Sequence, residues 1–293
     1  MARHQSLDSQ LQNTLAIVGV GLIGGSVGLA ARRTGQFRRI LGVGRDEESL
    51  SRARRFRCVD ETSTRLEFAA SADIVVVCTP VDRIAEQVLE LAPRCRPGTL
   101  IIDAGSTKAF IVETIEAALP DHVDFVGAHP LAGSEKRGPE NGRADLFDSR
   151  VTVLTPTQET GADALERASS FWSSLGSQVR VMSPENHDRA LGFTSHLPHL
   201  VAAALAGALP DALRELTASG FRDTTRIAAG DPALWTAIFE QNSPAILDAL
   251  ENFENQLAAL RTALASRDTT TLTQLLADAK RIRDALGNRD SSM

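Results

Sequence analysis

The chain has 293 residues, 43% of them hydrophobic, so it is long enough for about two domains and can bury a substantial core. Its formal net charge of −6, without any basic run, argues against non-specific binding to nucleic acid or to an anionic membrane surface. Three cysteines without metal-ligand spacing (Cys58, Cys78 and Cys95) and a polar N-terminus predict a cytoplasmic protein with reduced thiols and no signal peptide.

The first part of the sequence alternates apolar, strand-like runs with helical segments. The predicted strands lie, in chain order, at 14–20, 38–44, 72–80, 99–106, 123–130, 150–156 and 178–182. Segments with helical spacing follow each of the first four runs. Strands that alternate with helices are typical of βαβ units. We therefore expect a doubly wound, mostly parallel sheet in a Rossmann-type, dinucleotide-binding domain over residues 14–181.

From residue 182 onward the pattern is helical, so we expect an all-α domain over 182–293, with a first helical stretch from Ser183 and four or five more helices after it. Ser-Pro-Glu at 183–185 is a typical helix start, and Asp231, followed by proline, predicts the N-cap of another helix. The longest apolar run, at 200–209, is too short to span a bilayer. A long amphipathic helix over 244–264 carries an apolar stripe that predicts a homodimer interface.

The turn after the first strand, GVGLIGGS, carries a dinucleotide-binding motif. Gly19, Gly21 and Gly24 stand in G-x-G-x-x-G register between an apolar strand and a helix, which is the context that the motif requires. The first glycine permits the tight turn, the second lets the backbone approach a pyrophosphate, and the third lets the helix pack on the strand. We expect Leu22 and Ile23, at the helix N-terminus, to bind the cofactor with these glycines.

The end of the second strand indicates which dinucleotide is bound. An acidic residue that binds the ribose of NAD usually lies about 20 positions after the last glycine. This chain has Gly44 at that position and Arg45 directly after it. A guanidinium there can pair with the 2′-phosphate of NADP. The sequence therefore favours NADP, and the alternative is NAD with Asp46 reaching the ribose hydroxyls.

Three segments at the carboxyl ends of later strands are candidates for the reacting groups, because ligands bind at that edge of a doubly wound sheet. They are CTPVD at 78–82, DAGSTK at 103–108 and GAHPLAGSEKRG at 127–138, the last predicted to be a loop because of its Gly and Pro content. We expect Thr79, Pro80 and Ser106 beside the cofactor. His129 is suited to accept a proton from a substrate hydroxyl, which Ser106 can also hydrogen-bond. The alternative for a lone histidine is a structural role.

The helical domain contains further polar candidates. The HLPH segment at 196–199 would place two histidines on one helix face if the helix continues past the proline. No third ligand is evident, so we expect no metal site. Arg226 carries the guanidinium that suits a carboxylate. The alternative for Arg226 is a surface salt bridge with Asp223 or Asp231.

Five segments, in chain order, resemble the prephenate/arogenate dehydrogenase family of tyrosine biosynthesis. They are GVGLIGGS, DAGSTK, GAHPLAGSEKRG, SHLPH and GFRDTTRIAAGDPALW, and the similarity covers residues 14–260. The resemblance implies an NAD(P)-dependent oxidoreductase that oxidatively decarboxylates prephenate to 4-hydroxyphenylpyruvate, or arogenate to tyrosine. The substrate would be a cyclohexadienyl dicarboxylate with a hydroxyl at C4. The resemblance also implies an intertwined homodimer formed by the helical domain, and we expect no additional mutase or regulatory domain.

The resemblance assigns roles to individual residues. His129 matches the catalytic histidine that takes the proton of the 4-hydroxyl, and Ser106 matches the serine beside it. Arg226 matches the arginine that binds a substrate carboxylate. The other residues that match the substrate pocket or its entrance are His199, Trp235, Ser134, Glu135 and Asp223.

The sequence departs from the NAD-preferring members of the family at Gly44, where those members have aspartate. This departure also favours NADP, whereas the choice between prephenate and arogenate stays open. One alternative is a hydroxyacid dehydrogenase or a pyrroline-carboxylate reductase, which share the architecture. The hydroxyacid type would need a lysine in the helical domain, where this chain has only Lys280. The other alternative is a non-catalytic nucleotide sensor.

Overall fold

The computed structural model describes residues 13–133 and 136–287. Contacts within the chain divide it into two compact units, the first ending at Ser243 and the second beginning at Pro244. The division into a domain over 14–181 and a domain over 182–293 stays a prediction. None of the helices described is long and apolar enough to cross a membrane.

The larger unit is built on one sheet of eight described strands. They are β1 (Asn13–Val18), β2 (Phe37–Val43), β3 (Glu61–Ser63), β4 (Ile74–Val77), β5 (Thr99–Asp103), β6 (Val123–Pro130), β7 (Val151–Thr155) and β8 (Gln178–Val181). Their order is β3-β2-β1-β4-β5-β6-β7-β8, and every neighbouring pair is parallel except β6 and β7. The order reverses between β1 and β4, and the carboxyl ends of strands at such a switch point flank a ligand-binding crevice. The predicted doubly wound, mostly parallel sheet is confirmed.

Helices connect the strands, and apolar clusters form on both faces of the sheet. The helices are α1 (Leu22–Thr34), α2 (Glu47–Arg55), α3 (Val81–Leu91), α4 (Ala109–Glu116) and α5 (Ala162–Ser174). Ile17 of β1 belongs to the cluster that contains Trp172, whereas its neighbour Val18 belongs to the cluster that contains Ile84. Successive residues of a strand face opposite sides of a sheet. The continuous apolar runs are therefore buried on both faces, as the sequence predicts.

Two elements of this unit are not among those predicted from the sequence. The edge strand β3 has only three residues, all polar, so it lacks an apolar run. Helix α5 buries Ala164, Ala168, Phe171 and Trp172. These positions follow the i, i+4, i+7, i+8 spacing of an amphipathic helix, which is the signal by which α5 could have been found.

After β8 the larger unit continues as helices. They are α6 (Pro184–Leu191), α7 (Leu197–Gly207), α8 (Ser219–Thr225) and α9 (Pro232–Gln241), with a π-helical turn over Gly192–His196 that joins α6 to α7. Ser183 caps α6 by accepting a hydrogen bond from the N–H of Asn186 at 3.2 Å, and Asp231 caps α9 through the N–H of Ala233 at 2.7 Å. Both predicted helix starts are confirmed. The helix also continues past Pro198, which lies in the first turn of α7.

The smaller unit consists of α10 (Ser243–Ala265), from Pro244 onward, and α11 (Thr269–Ala285). The helix predicted over 244–264 lies within α10 and is confirmed. With these two, six α-helices follow β8 in the described part of the chain. The first predicted helical stretch contains α6 and α7, and the four helices after it agree with the four or five further helices predicted. Large apolar side chains of this unit that are exposed in the single chain are Leu247, Leu257, Leu264, Leu276, Ile282 and Leu286.

Gly28, on α1, lies against the backbone of the segment between α2 and β3. A Cβ at Gly28 would approach the carbonyl oxygen of Cys58 to 2.0 Å. We expect Gly28→Ala to lower the free energy of unfolding by roughly 1–3 kcal/mol, because the helix must move away from the segment. Urea denaturation followed by circular dichroism measures this change.

The control is Gly207→Ala at the end of α7, where nothing lies within 4 Å of the new Cβ. There the free energy of unfolding should stay the same or rise by up to about 1 kcal/mol. Equal stability of the two variants would contradict the close packing of α1.

Candidate active site

The turn between β1 and α1 has the geometry of a dinucleotide-binding site. Gly19 has a φ of +91°, and a Cβ on Gly24 would lie 2.2 Å from the carbonyl oxygen of Gly19. Nothing lies within 4 Å of a Cβ built on Gly21, so a ligand can approach its backbone. No side-chain cap and no acidic residue occupies the first turn of α1, which leaves the N–H groups of Leu22 and Ile23 available to a phosphate. These residues fit a dinucleotide.

The end of β2 lies beside this turn, since the N–H of Gly19 donates to the carbonyl of Val43 at 2.8 Å. Gly44 follows, and Arg45 is exposed and forms no ion pair among the described residues. Asp46 is the N-cap of α2. Its two carboxylate oxygens accept hydrogen bonds from the N–H groups of the helix at 3.2 Å and 2.9 Å. The carboxylate that could reach a ribose is thus engaged by the helix.

The ends of β4 and β5 carry the next three predicted residues. A Cβ on Gly19 would lie 2.8 Å from Cγ2 of Thr79, so the end of β4 packs against the glycine turn. Pro80 is the N-cap of α3. Ser106 follows β5 and is half-buried, and its hydroxyl has no hydrogen-bond partner among the described residues. That hydroxyl is therefore available to a ligand.

His129 lies within β6, which confirms the strand predicted over 123–130 and shows that the loop predicted over 127–138 begins too early. Residues 127–130 extend the strand because they pair antiparallel with β7, beyond the point where β6 pairs with β5. The loop begins only after this extension. Ser134 and Glu135 lie outside the described residues. A strand position holds the backbone of His129 more rigidly than a loop would.

His129 is hydrogen-bonded to α6. Its Nδ1 lies 2.8 Å from Nε2 of His187, and Nδ1 of His187 lies 2.7 Å from Oδ1 of Asp188. The carboxylate of Asp188 also accepts from the N–H groups of Lys108 at 2.8 Å and Ala109 at 2.9 Å, at the start of α4. His187 and Asp188 are both buried. Sequence reasoning missed this pair, because no motif or spacing connects it with His129.

A buried ion pair lies next to this chain of hydrogen bonds. The ammonium of Lys108 pairs with the carboxylate of Asp103, and both side chains are fully buried. Asp103 also accepts from the N–H of Gly105 at 2.8 Å and from that of Ala128 at 3.0 Å. The pair therefore holds the end of β5 against the residue that precedes His129.

The surroundings keep both imidazoles neutral. Burial lowers the pKa of His129 well below 6.5, and positive charge on His187, Lys108 and His196 would lower it further. Burial also lowers the pKa of His187, which the carboxylate of Asp188 partly opposes. At pH 7 His129 therefore has a bare ring nitrogen that can accept a proton.

His199 and Trp235, both predicted to line the substrate pocket, form a stacked pair. Their ring centroids are 3.5 Å apart, and the ring planes meet at 15°. A Cβ on Gly230 would lie 2.5 Å from the indole nitrogen and 2.8 Å from Cε1 of His199. The glycine thus allows the turn before α9 to approach both rings.

The end of α9 connects the helical part to the sheet. The side-chain amide of Asn242 donates to the carbonyl oxygen of Asp188 at 2.8 Å and lies 2.9 Å from Nδ1 of His196. The hydroxyl of Thr107 donates to Oε1 of Gln241 at 2.6 Å. These bonds hold α9, α6 and the loop after β5 together.

Arg226 begins a 3-10 turn that packs against α7, the helix of His199. Its side chain is exposed and forms no ion pair in the described part of the chain, and Asp223 is likewise exposed. Asp231 pairs instead with Arg137. The surface salt bridge considered for Arg226 is therefore not formed. No described contact joins Arg226 or Asp223 to His129.

Comparison with known proteins identifies the family. The sequence model of the prephenate dehydrogenase nucleotide-binding domain matches residues 27–181, and that of the prephenate dehydrogenase dimerization domain matches residues 183–278. The chain is 36% identical to the cyclohexadienyl dehydrogenase of Zymomonas mobilis, over 93% of this chain and 95% of that protein.

Two solved structures agree with this assignment. The prephenate dehydrogenase of A. aeolicus, in complex with hydroxyphenyl propionate and NAD+, superimposes with a TM-score of 0.88 at 33% identity, covering 94% of this chain and 98% of that one. The Synechocystis arogenate dehydrogenase gives a TM-score of 0.80 at 31% identity, covering 93% and 99%. The chain therefore belongs to the prephenate dehydrogenase family of oxidoreductases.

Proposed function

We propose that the chain catalyses the NAD(P)-dependent oxidative decarboxylation of prephenate or arogenate, which yields 4-hydroxyphenylpyruvate or tyrosine. The observation that carries the proposal is the neutral, half-buried His129 at the carboxyl edge of the sheet, the edge that also carries the glycine turn. Membership of the prephenate dehydrogenase family supports the same reaction. It also favours this reaction over those of the other reductases and over a nucleotide sensor.

The proposed chemistry needs one base and one aligned hydroxyl. When bound, the nicotinamide would supply the acceptor for the hydride that leaves C4 of the substrate. His129 takes the proton of the 4-hydroxyl, and the hydroxyl of Ser106, which has no partner in the described part of the chain, hydrogen-bonds the same oxygen. The bond from C1 to the carboxylate breaks, CO₂ leaves, and the bonding electrons make the ring aromatic. The proton then returns from His129 to the phenolate oxygen, so no net proton is consumed.

The rest of the pocket is proposed to bind the substrate. Arg226 has an exposed guanidinium without an ion-pair partner in the described chain, and it suits a substrate carboxylate. The stacked rings of His199 and Trp235 offer a flat surface for the cyclohexadiene. We infer that Asp223 lies at the entrance. Ser134 and Glu135 are assigned to the pocket by the family resemblance alone.

We infer that the cofactor is NADP, bound at the glycine turn and by Thr79 and Pro80. Gly44 replaces the carboxylate that would bind the ribose of NAD. Arg45 carries an exposed positive charge without an ion-pair partner among the described residues, which suits a 2′-phosphate. Asp46, the residue that could serve NAD instead, uses both carboxylate oxygens to cap α2.

We further propose a cytoplasmic homodimer formed through the helices after residue 182. The matched description of residues 183–278 as a dimerization domain supports this interface. The exposed leucines of α10 and α11 supply apolar surface of the kind that such interfaces bury.

The first experiment follows reduction of NAD and NADP optically with prephenate and with arogenate, in four separate assays. We expect turnover with at least one substrate and a higher kcat/KM with NADP. Arg45→Ala should lower kcat/KM for NADP by roughly tenfold or more and leave that for NAD nearly unchanged.

The control is Arg38→Ala, at the opposite end of β2, where the side chain is also exposed. It should leave both values unchanged. Absence of turnover in all four assays would refute the reaction, and an NAD preference that Arg45→Ala does not alter would refute the cofactor assignment.

His129→Asn should reduce kcat by about 10²-fold or more, because the general base is lost, while the affinity for the cofactor stays nearly the same. Steady-state kinetics and fluorescence titration with cofactor measure the two effects. The matched control is His122→Asn, which replaces the histidine just before β6, at the end of the strand opposite His129. It should retain full activity. An unchanged kcat in His129→Asn would exclude the residue as the base.

Arg226→Ala should raise KM for the cyclohexadienyl substrate by roughly tenfold or more with a smaller change in kcat, because a carboxylate is bound in both ground and transition states. Initial-rate kinetics at saturating cofactor give both parameters. Arg189→Ala, which removes another exposed cation from the larger unit, should not change KM. If both variants keep the original KM, Arg226 does not bind the substrate.

A further inference from the structure

His129, His187 and Asp188 form a continuous chain of hydrogen bonds, with distances of 2.8 Å between the two imidazoles and 2.7 Å to the carboxylate. A neutral imidazole carries a proton on only one of its two nitrogens. The partners at one end of such a chain therefore determine which nitrogen is bare at the other end. In this series of hydrogen bonds, Asp188 is the end whose role as an acceptor is fixed.

The ionised carboxylate of Asp188 can only accept hydrogen bonds. It accepts from the N–H groups of Lys108 and Ala109 at 2.8 Å and 2.9 Å, and its third contact is with Nδ1 of His187. Because the carboxylate cannot donate to the ring, this third contact requires a donor on His187. Nδ1 of His187 must then carry the proton, which leaves Nε2 of the same neutral ring as an acceptor.

The same reasoning continues to His129. Since Nε2 of His187 accepts, Nδ1 of His129 must donate across the 2.8 Å between them. Nε2 of His129, on the far side of the ring, is then bare. This tautomer is assigned from the hydrogen-bond network. It leaves free the ring nitrogen that is not engaged by α6.

We propose that His187 and Asp188 are positioning residues that hold His129 in the tautomer with a bare Nε2 and stabilise the imidazolium that forms when Nε2 takes the proton of the substrate hydroxyl. The inference rests on the proposed function of His129 as the base. The Nδ1 proton of His129 is shared with Nε2 of His187, whose resulting positive charge faces the carboxylate of Asp188. When Nε2 of His129 returns its proton to the phenolate oxygen, the shared proton moves back to Nδ1 of His129. The three residues then have the same protons as at the start.

Other charged and titratable groups near these three residues also affect the charge of His129. Lys108 disfavours a standing positive charge on His129, and its own charge is paired with Asp103. His196 is buried, and burial lowers its pKa to about 4, so it is neutral near pH 7. Asp188 is therefore the carboxylate in direct hydrogen-bond contact with the two-histidine chain, and His129 starts neutral. A transient imidazolium gains the most from that one contact.

Two variants of His187 separate the proposed role from simple packing. His187→Leu removes the acceptor for Nδ1 of His129, whereas His187→Gln keeps an amide oxygen that can accept the same hydrogen bond but cannot take up a proton. We expect kcat to fall by about 10²-fold or more in His187→Leu, because the base adopts the wrong tautomer, and by a smaller factor in His187→Gln. Asp188 is left unchanged because it also binds the start of α4.

The decisive measurement is the tautomer of His129 itself. ¹⁵N chemical shifts of the imidazoles, recorded at pH 7 on the isotope-labelled protein with NADP bound, distinguish a bare from a protonated Nε2. The His129→Asn variant assigns the signals. We expect a protonated Nδ1 and a bare Nε2 in the unaltered protein, and a shift of the proton toward Nε2 in His187→Leu. A role in packing alone would not move the tautomer.

Two results would overturn the proposal. One is a protonated Nε2 on His129 in the unaltered protein, which needs no variant and no substrate. The other is a folded His187→Leu protein, judged by thermal melting, that keeps its kcat within about threefold. Because the tautomer is measured without turnover, failure of this proposal is distinct from failure of the proposed reaction, which the four cofactor and substrate assays test.

Discussion

The carboxylate of Asp188 joins parts of the larger unit that lie far apart in the chain. It accepts hydrogen bonds from the start of α4, which follows β5, and from His187 beside it. Its backbone carbonyl accepts from Asn242 at the end of α9. Each hydrogen bond to a charged group contributes about 1.5–3 kcal/mol, so the loss of one of these donors would be costly. The positions of α4, α6 and α9 are therefore mutually dependent, and the proposed base is placed by the same contacts.

Burial is the main reason why the proposed base is neutral at rest, and a second buried charge, on Lys108, adds to its effect. The ammonium of Lys108 is paired with the carboxylate of Asp103 and does not need His129 as a partner. The positive charge close to His129 nevertheless adds to the effect of burial on its pKa. Structural stability and proton affinity thus depend on the same pair of residues. Replacement of the pair by apolar side chains of equal volume would remove this control even where the fold survived.

The parts of this protein that were predictable from sequence are those encoded locally. Apolar runs are strands because a sheet buried on both faces needs them. Gly19 is required by its positive φ, and Gly24 by the carbonyl oxygen of Gly19, which a Cβ would meet. The strand over 123–130 was predictable, but the pairing of its end with β7 was not, because that partner lies more than twenty residues away in the chain. The contact between His129 and His187 spans 58 positions and follows from the packing of α6. No local pattern encodes such a contact.

Strand β6, which pairs with both β5 and β7, limits where residues can be inserted or deleted during evolution. Its first four residues pair with β5 and its last four with β7, so two ladders fix the same strand at once. Side chains alternate between the two faces of a strand. Inserting or deleting one residue upstream of His129 would exchange faces along the remainder of the strand and carry the imidazole away from His187. Length variation close to His129 should therefore fall between Pro130 and β7, where no strand pairing is found among the described residues.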